Sequence, residues 1–300
     1  MSAPAATLTL DRPREASAAD QVLRFCRRQP LGAISFVAIL VMLLSGIFAE
    51  WVAPYDPLAI DFAATLAAPS WSHWFGTDGF GRDILSRIVY GARTALVIGF
   101  ASSMLGSTLG AVIGATSAYF GGRIDSAIQR GIDILLAFPI IVLALVVVAV
   151  LGKGLFLGID LNLVVAIAIP IVPKVARVVR SAALSIRAMP YVDAARAAGY
   201  SHGRIIFRHM APNLAAPYLI MLTAYIAQAI LLEASLSFLG LGVSEPTAAW
   251  GLMLSGNASD FYREAPWMVI FPGLAISVAV FAFNLFGDAL RDWLDPKFKV

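Results

Sequence analysis

The sequence predicts an all-α integral membrane protein that crosses the bilayer six times. Three observations carry this. Hydrophobic residues fill 59% of the 300 positions and charged residues only 14%, against about 25% charged in an ordinary soluble domain. Apolar runs close to the ~20 residues that span a bilayer as a helix recur six times along the chain. The basic residues between those runs collect on alternate sides. A water-soluble fold of this composition would leave large apolar surface exposed.

Residues 1–30 read as a polar tail that ends in the cluster Arg24, Arg27 and Arg28. Residues 31–49 then run for 19 positions without a charge. The apolar region of a secretory signal is about 7–15 residues and ends in a small-residue cleavage site. This run is longer and leads into Glu50 and Trp51, so it reads as an uncleaved first transmembrane anchor. Residues 50–93 follow as an external loop. Its Trp51, Trp71, Trp74 and Phe75 bring apolar area that predicts folding against the membrane surface, where aromatic rings settle. A five-helix core extends over residues 94–290, with spans at 94–120, 132–151, 161 to about 179, 214–239 and 267–289, and residues 291–300 form a second tail.

Within the second span Gly106, Gly110 and Gly114 recur every four residues, which places three positions without side chains on one helix face and predicts close approach of another helix. Pro139, Pro170, Pro173 and Pro272 lie inside or beside apolar runs, where each removes a donor from the helical ladder. Such kinks serve either packing or a hinge. Gln228, Glu233 and Asn284 are polar at membrane depth, a costly placement unless they pair between helices or face a solute route.

Seventeen of the 22 Lys and Arg residues fall on the side of the N-terminus and five on the other. Positive residues accumulate in cytoplasmic loops, which places both termini in the cytoplasm. The net charge of +3 and a pI near 9.1 therefore answer to lipid headgroups and not to nucleic acid. Cys26 is the single cysteine, so no intrachain disulfide is expected.

Enzyme signatures are absent from the sequence. The string Gly76 to Asp83 lacks the Lys and hydroxyl of a phosphate-binding loop. His73, His202 and His209 are scattered without partners at ligand spacing, and no metal site or bound cofactor is expected.

The informative stretch is the loop at 190–212. It reads as an Ala-rich short helix broken at Gly199, then a second helical turn that Ser201 can cap, carrying Ile205, Ile206 and Phe207 among basic residues and stopped by Pro212. Its physical character alone fits an interfacial helix resting on lipid headgroups.

The same stretch resembles the Glu-Ala-Ala loop of binding-protein-dependent ABC importer permeases. Asp193 stands where the family has Glu, Ala194 and Ala195 match, Gly199 falls at the family's distance and Pro212 closes the pattern, while His209 and Ala211 replace the usual Ile and Leu. Further pieces are similar to the second permease subunit of the dipeptide, oligopeptide and nickel branch: Trp51 to Pro57, Phe75 to Asp83, Ser237 to Gly242, Gly287 to Asp292 and Leu294 to Lys297.

This resemblance implies the type I ABC importer permease fold in a bacterial inner membrane. It implies a second homologous permease, two ATPase subunits that use ATP and Mg, and an external binding protein that delivers a peptide-like solute. It also implies that the helix around Asp193 to Gly199 docks into an ATPase groove. The solute is left open among dipeptides, longer peptides, glutathione, opines and nickel chelates. The competing class is a secondary transporter or channel that works without ATP; such proteins often carry internal repeats and mid-membrane charges, neither of which stands out in this chain.

Overall fold

The computed structural model describes residues 26–27, 29–156 and 159–294. The tails at 1–25 and 295–300, with Pro296 and Lys297 of the last quoted motif, lie outside them. The described chain is a bundle of long helices with one minimal antiparallel hairpin. Helix α1 (Pro30–Ile47) begins at a proline, whose missing N–H is unneeded in the first turn. Helix α2 (Ile84–Phe120) is the longest element at 37 residues. Next come α3 (Gly122–Leu136) and α4 (Ile140–Leu151), then the hairpin β1 (Leu155–Phe156) and β2 (Ile159–Asp160). Helices α5 (Leu161–Ala168), α6 (Ile171–Arg187), α7 (Pro190–Ala197), α8 (Ala215–Phe238) and α9 (Trp267–Leu294) complete it.

Four helical runs are long and apolar enough to cross a membrane unaided, and two bent pairs bring the number to six. The third and fourth expected spans are those pairs. The run at 132–151 is not one helix: α3 and α4 meet at 93° across residues 137–139. Pro139 lacks an N–H and biases Phe138 away from the helical region, which ends α3. Residues 132–136 thus belong to α3, which runs across the end of the bundle. The run at 161–179 bends by 44° at Ile169–Pro170 and continues to Arg187.

Helix α2 starts at Ile84, ahead of the charge-free run that begins at Thr94, because Asp83 caps it by accepting from the Ser86 N–H at 2.8 Å. Its first three turns carry Arg87 and Arg93, so hydropathy alone hides them. Arg93 donates to the Gly46 carbonyl at 2.9 Å and ties the end of α1 to the start of α2. This is the upper end of the bundle. At the lower end Gln29 donates to Asp292 at 3.1 Å, so the beginning of α1 and the end of α9 lie beside each other.

Helix α2 packs against α1, α5, α6 and α8. The tightest contact is with α6 and the residue just before its bend. A Cβ added at Gly106 would lie 2.7 Å from the Ala168 carbonyl oxygen, and one at Gly110 would lie 2.7 Å from the Val172 oxygen and 2.8 Å from Val175 Cβ. Gly114 faces the Ala176 carbonyl in the same way. The glycine stripe is therefore the contact face, and it meets the buried stripe Ile171, Val175, Val179 and Ala183 of α6.

The segment at 53–83 folds onto the upper end, while Trp51, Trp71 and Trp74 stay exposed on this chain. Trp71 is 97% exposed, Trp51 81% and Trp74 62%. The aromatic anchor is Phe75, stacked on Phe271 with centroids 4.1 Å apart, while Trp267 of α9 donates to the Thr77 carbonyl at 3.1 Å. Polar groups hold the rest. Asp78 accepts from the Phe80 and Arg82 N–H groups at 2.8 and 3.0 Å, and Arg82 reaches Glu245 at 2.9 Å in the connection between α8 and α9. His73, which has no partner at ligand spacing, meets Asp83 at 3.0 Å.

Replacing Gly110 by Leu should abolish assembly, since its branched side chain would have to displace the α6 backbone and not merely a side chain. Detergent-extracted yield of the folded chain is the measurement, and a yield equal to wild type would refute the contact.

Candidate functional site

The site is the lower end, where the 190–212 segment meets the ends of α2 and α6. Helix α7 begins with Pro190 and divides its residues between two faces. Val192 and Ala195 are buried, at 0% and 4% exposure, in the same apolar cluster as Ala118 and Tyr119 of α2 and Val179 and Ala183 of α6. Asp193, Ala194, Ala197 and Ala198 are exposed. The expected Ala pair is thus split. Ala194 faces outward, whereas Ala195 is part of this chain's own core.

Gly199 ends the helix with φ of +76°, the left-handed conformation that glycine adopts without Cβ strain. The Gly199 N–H donates to the Arg196 carbonyl at 2.9 Å and the Tyr200 N–H to the Ala195 carbonyl at 3.2 Å, which satisfies carbonyls that the helix leaves open. The chain then turns back. Ser201 caps the next turn by accepting from the Arg204 N–H at 3.4 Å.

Pro212 does not stop the helix that follows. Residues 202–238 form one continuous helical run that passes through a π turn at Ile205–Met210 and a 3-10 turn at Ala211–Leu214 before α8. These local changes of pitch accommodate the proline ring and its missing donor. Asn213 closes the irregular stretch, donating to the His209 carbonyl at 3.1 Å and to the Tyr191 hydroxyl at 3.0 Å, so the base of α8 is tied to the start of α7. Ile205 and Ile206 turn into the chain's own core at 1% and 6% exposure, leaving Phe207 exposed. The segment is therefore docked on the bundle by its apolar side, and its Asp193–Ala194 face is turned outward.

Residues that carry no motif complete the platform. Arg187 at the end of α6 donates to the Ala118 carbonyl at 2.9 Å. Asp125 of α3 accepts from Arg180 at 2.6 and 2.5 Å and from the Ser117 hydroxyl at 2.5 Å, linking α3, α6 and α2. The Tyr119 hydroxyl meets His202 Nδ1 at 2.8 Å. Apart from Ser117 and Asp125, these partners are 55 to 83 positions apart in sequence, so spacing gives no sign of them.

The three polar residues at membrane depth separate. Glu233 is 1% exposed and accepts from Ser237 at 2.7 Å, so it is enclosed within this chain. Gln228 is half-buried and Asn284 exposed, so of the three these two reach the surface of the chain.

Replacing Asp125 by Asn should lower stability by about 1.5–3 kcal/mol, the range for hydrogen bonds to charged groups. Denaturant unfolding of the purified chain measures it, and an unchanged midpoint would show that the pair does not hold the platform.

Comparison with known proteins agrees with this architecture. Residues 106–300 match the family described as binding-protein-dependent transport system inner membrane component. Residues 17–69 match the N-terminal transmembrane domain of oligopeptide transport permease C. The dipeptide transport system permease protein of Alkalihalophilus pseudofirmus is 43% identical over 273 residues, covering 91% of this chain and 88% of that protein. The glutathione transport system permease protein of Escherichia coli O6:K15:H31 is 40% identical over 274 residues, 91% of this chain and 88% of that protein. Among solved structures, a chain of the MetNI methionine ABC transporter in an inward-facing conformation superposes with a TM-score of 0.52 at 16% identity, over 68% of this chain and 96% of that one, and it shares the fold. With a family match over more than half of its residues and relatives of 40% and 43% identity along nearly its whole length, this chain belongs to the family of inner-membrane components of binding-protein-dependent transport systems.

Proposed function

We propose that the chain is one of two permease subunits of an ATP-driven importer that carries a dipeptide, oligopeptide or glutathione-like solute into the cytoplasm. Two ATPase subunits, which use ATP and Mg, dock on the lower end, and an external binding protein delivers solute at the upper end. This chain contributes half the wall of the route and binds no cofactor of its own. The names of the relatives support the solute class, since they are dipeptide and glutathione permeases.

The observation that carries the coupling reading is the divided surface of α7. Val192 and Ala195 fix the helix to the bundle, while Asp193, Ala194, Ala197 and Ala198 present a nearly smooth outward face beside the exposed Gly199 bend. Small side chains allow a partner's groove to close on the helix backbone. The orientation follows from the same end. The basic side of the chain includes Arg187, Arg196, Arg204 and Arg208, all on or beside this knob, which supports placing it, with the neighbouring start of α1 and end of α9, in the cytoplasm.

The discriminating variant is Ala194→Arg. Ala195→Arg is unsuitable because it would disrupt this chain's own core. If Ala194 is held in an ATPase groove, co-purification of the ATPase subunits with the two permeases should fall at least fivefold, and dipeptide uptake with it, while membrane insertion is unchanged. A helix that merely rests on lipid would tolerate or welcome the added charge. Full ATPase retention together with full uptake would overturn the coupling reading.

A further inference from the structure

The ring of Tyr119, at the lower end of α2, is 4% exposed and touches the chain on both sides of the Gly199 bend. Before the bend, the Arg196 guanidinium of α7 lies 5.1 Å from the ring centroid. After it, the Tyr119 hydroxyl meets His202 Nδ1 at 2.8 Å, and the His202 ring lies edge-on to both Tyr119 and Phe120 at 5.5 Å. Gly199 has no neighbour within 4 Å of where a Cβ would stand. The outer side of the bend is open, and beyond the two backbone hydrogen bonds that close the helix end, groups that reach across the bend bear on its angle.

The neighbouring elements differ in what they can transmit. Helix α6 follows a 44° break from α5, and the chain from Gly199 into α8 passes through a π turn and a 3-10 turn. Both absorb displacement. Helix α2 runs for 37 residues without a proline, about 55 Å at 1.5 Å per residue. At its upper end it meets the connection between α8 and α9 through several contacts, among them a hydrogen bond from Thr94 to the Ala248 carbonyl at 2.9 Å. Trp250 donates to the Ile88 carbonyl at 2.9 Å with its ring against Gly91, and Arg82, just before the cap, pairs with Glu245.

We infer that Tyr119 is the positioning residue through which displacement of α7 enters α2, that His202 is its partner, and that α2 carries the displacement as a rod to the 245–250 segment at the upper end. This rests on the reading of α7 as the ATPase contact. Arg196 and His202 reach Tyr119 from either side of the bend, so a push on either arm moves the same ring. The hydroxyl is the directional part of the grip, because a ring contact alone can slide whereas a hydrogen bond loses energy steeply with misalignment.

The test uses the whole complex, with the second permease and both ATPases, in a background lacking other reactive cysteines (Cys26→Ser in this chain). A spin label on Thr247→Cys, an exposed upper-end position, reports on trapping with ATP and vanadate. Trapping should change the label's mobility in the otherwise wild-type complex. Tyr119→Phe should keep the trapped nucleotide within twofold and cut the label's response at least threefold. His202→Ala should do the same, while His202→Asn, whose amide can occupy the place of Nδ1, should restore it. A full response from Tyr119→Phe overturns the inference, as does a wild-type label that never responds. Loss of trapping in Tyr119→Phe also overturns it, by making Tyr119 a residue of assembly. Failure of the coupling reading is read separately, from ATPase retention by Ala194→Arg.

Discussion

The close approach of α2 to α6 across Gly106, Gly110 and Gly114 is the contact on which the rest of the bundle depends. In lipid there is no hydrophobic drive bringing two apolar helices together, so association rests on van der Waals packing and on how near the backbones come. Three glycines on one face allow the carbonyls of Ala168, Val172 and Ala176 to sit where side chains would otherwise stand. With that contact made, α2 becomes the axis. Helices α1, α5 and α8 pack around it, and both of its ends are placed against connecting segments.

Polar groups in such a bundle are costly unless paired, and several are paired inside it, although one Glu233 oxygen and the Ser102 and Ser107 hydroxyls are buried without a partner. Glu233 accepts from the Ser237 hydroxyl, which itself accepts from the Val243 N–H at 3.0 Å. A carboxyl deep in α8 thus orders the start of the connection that bears Glu245. Glu245 reaches Arg82, and Arg87 lies 3.9 Å from both Asp78 and Glu245. Burying these charges singly would cost several kcal/mol each, so their grouping is what permits Arg87 to sit at 1% exposure beside the membrane. The same grouping joins the 53–83 segment, α2 and the α8–α9 connection into one upper surface.

The lower end is built differently. Its knob is docked by apolar side chains from α7 and the π turn, and its polar contacts are placed at the edges: Asn213 to Tyr191, Arg187 to Ala118, Tyr119 to His202. The result is a segment fixed to the bundle on one side and open on the other, with a bend at Gly199 whose outer side is open. Under the proposed coupling role this combination is needed, because a fully exposed helix would transmit nothing and a fully buried one could not be reached.

The sequence by itself determined that the chain lives in a membrane, where most of its helices run, which face of α2 is contacted and where the knob bends. These follow from local rules: about 20 apolar residues per crossing, four-residue spacing for one helix face, glycine for a positive φ. Composition also marked the proline positions, but whether a proline breaks a helix depends on its neighbours. Pro139 gives a 93° turn, whereas the run through Pro212 continues, because a π turn and a 3-10 turn can absorb the missing donor there. Only the tertiary structure decided that Ala195 faces inward and Ala194 outward, that Glu233 is enclosed while Asn284 is open, and that Phe75 and not Trp71 anchors the upper segment. The physical reason is the same in each case. The sequence fixes which groups must find a partner, and the partner lies dozens of residues away on an element that only folding brings near.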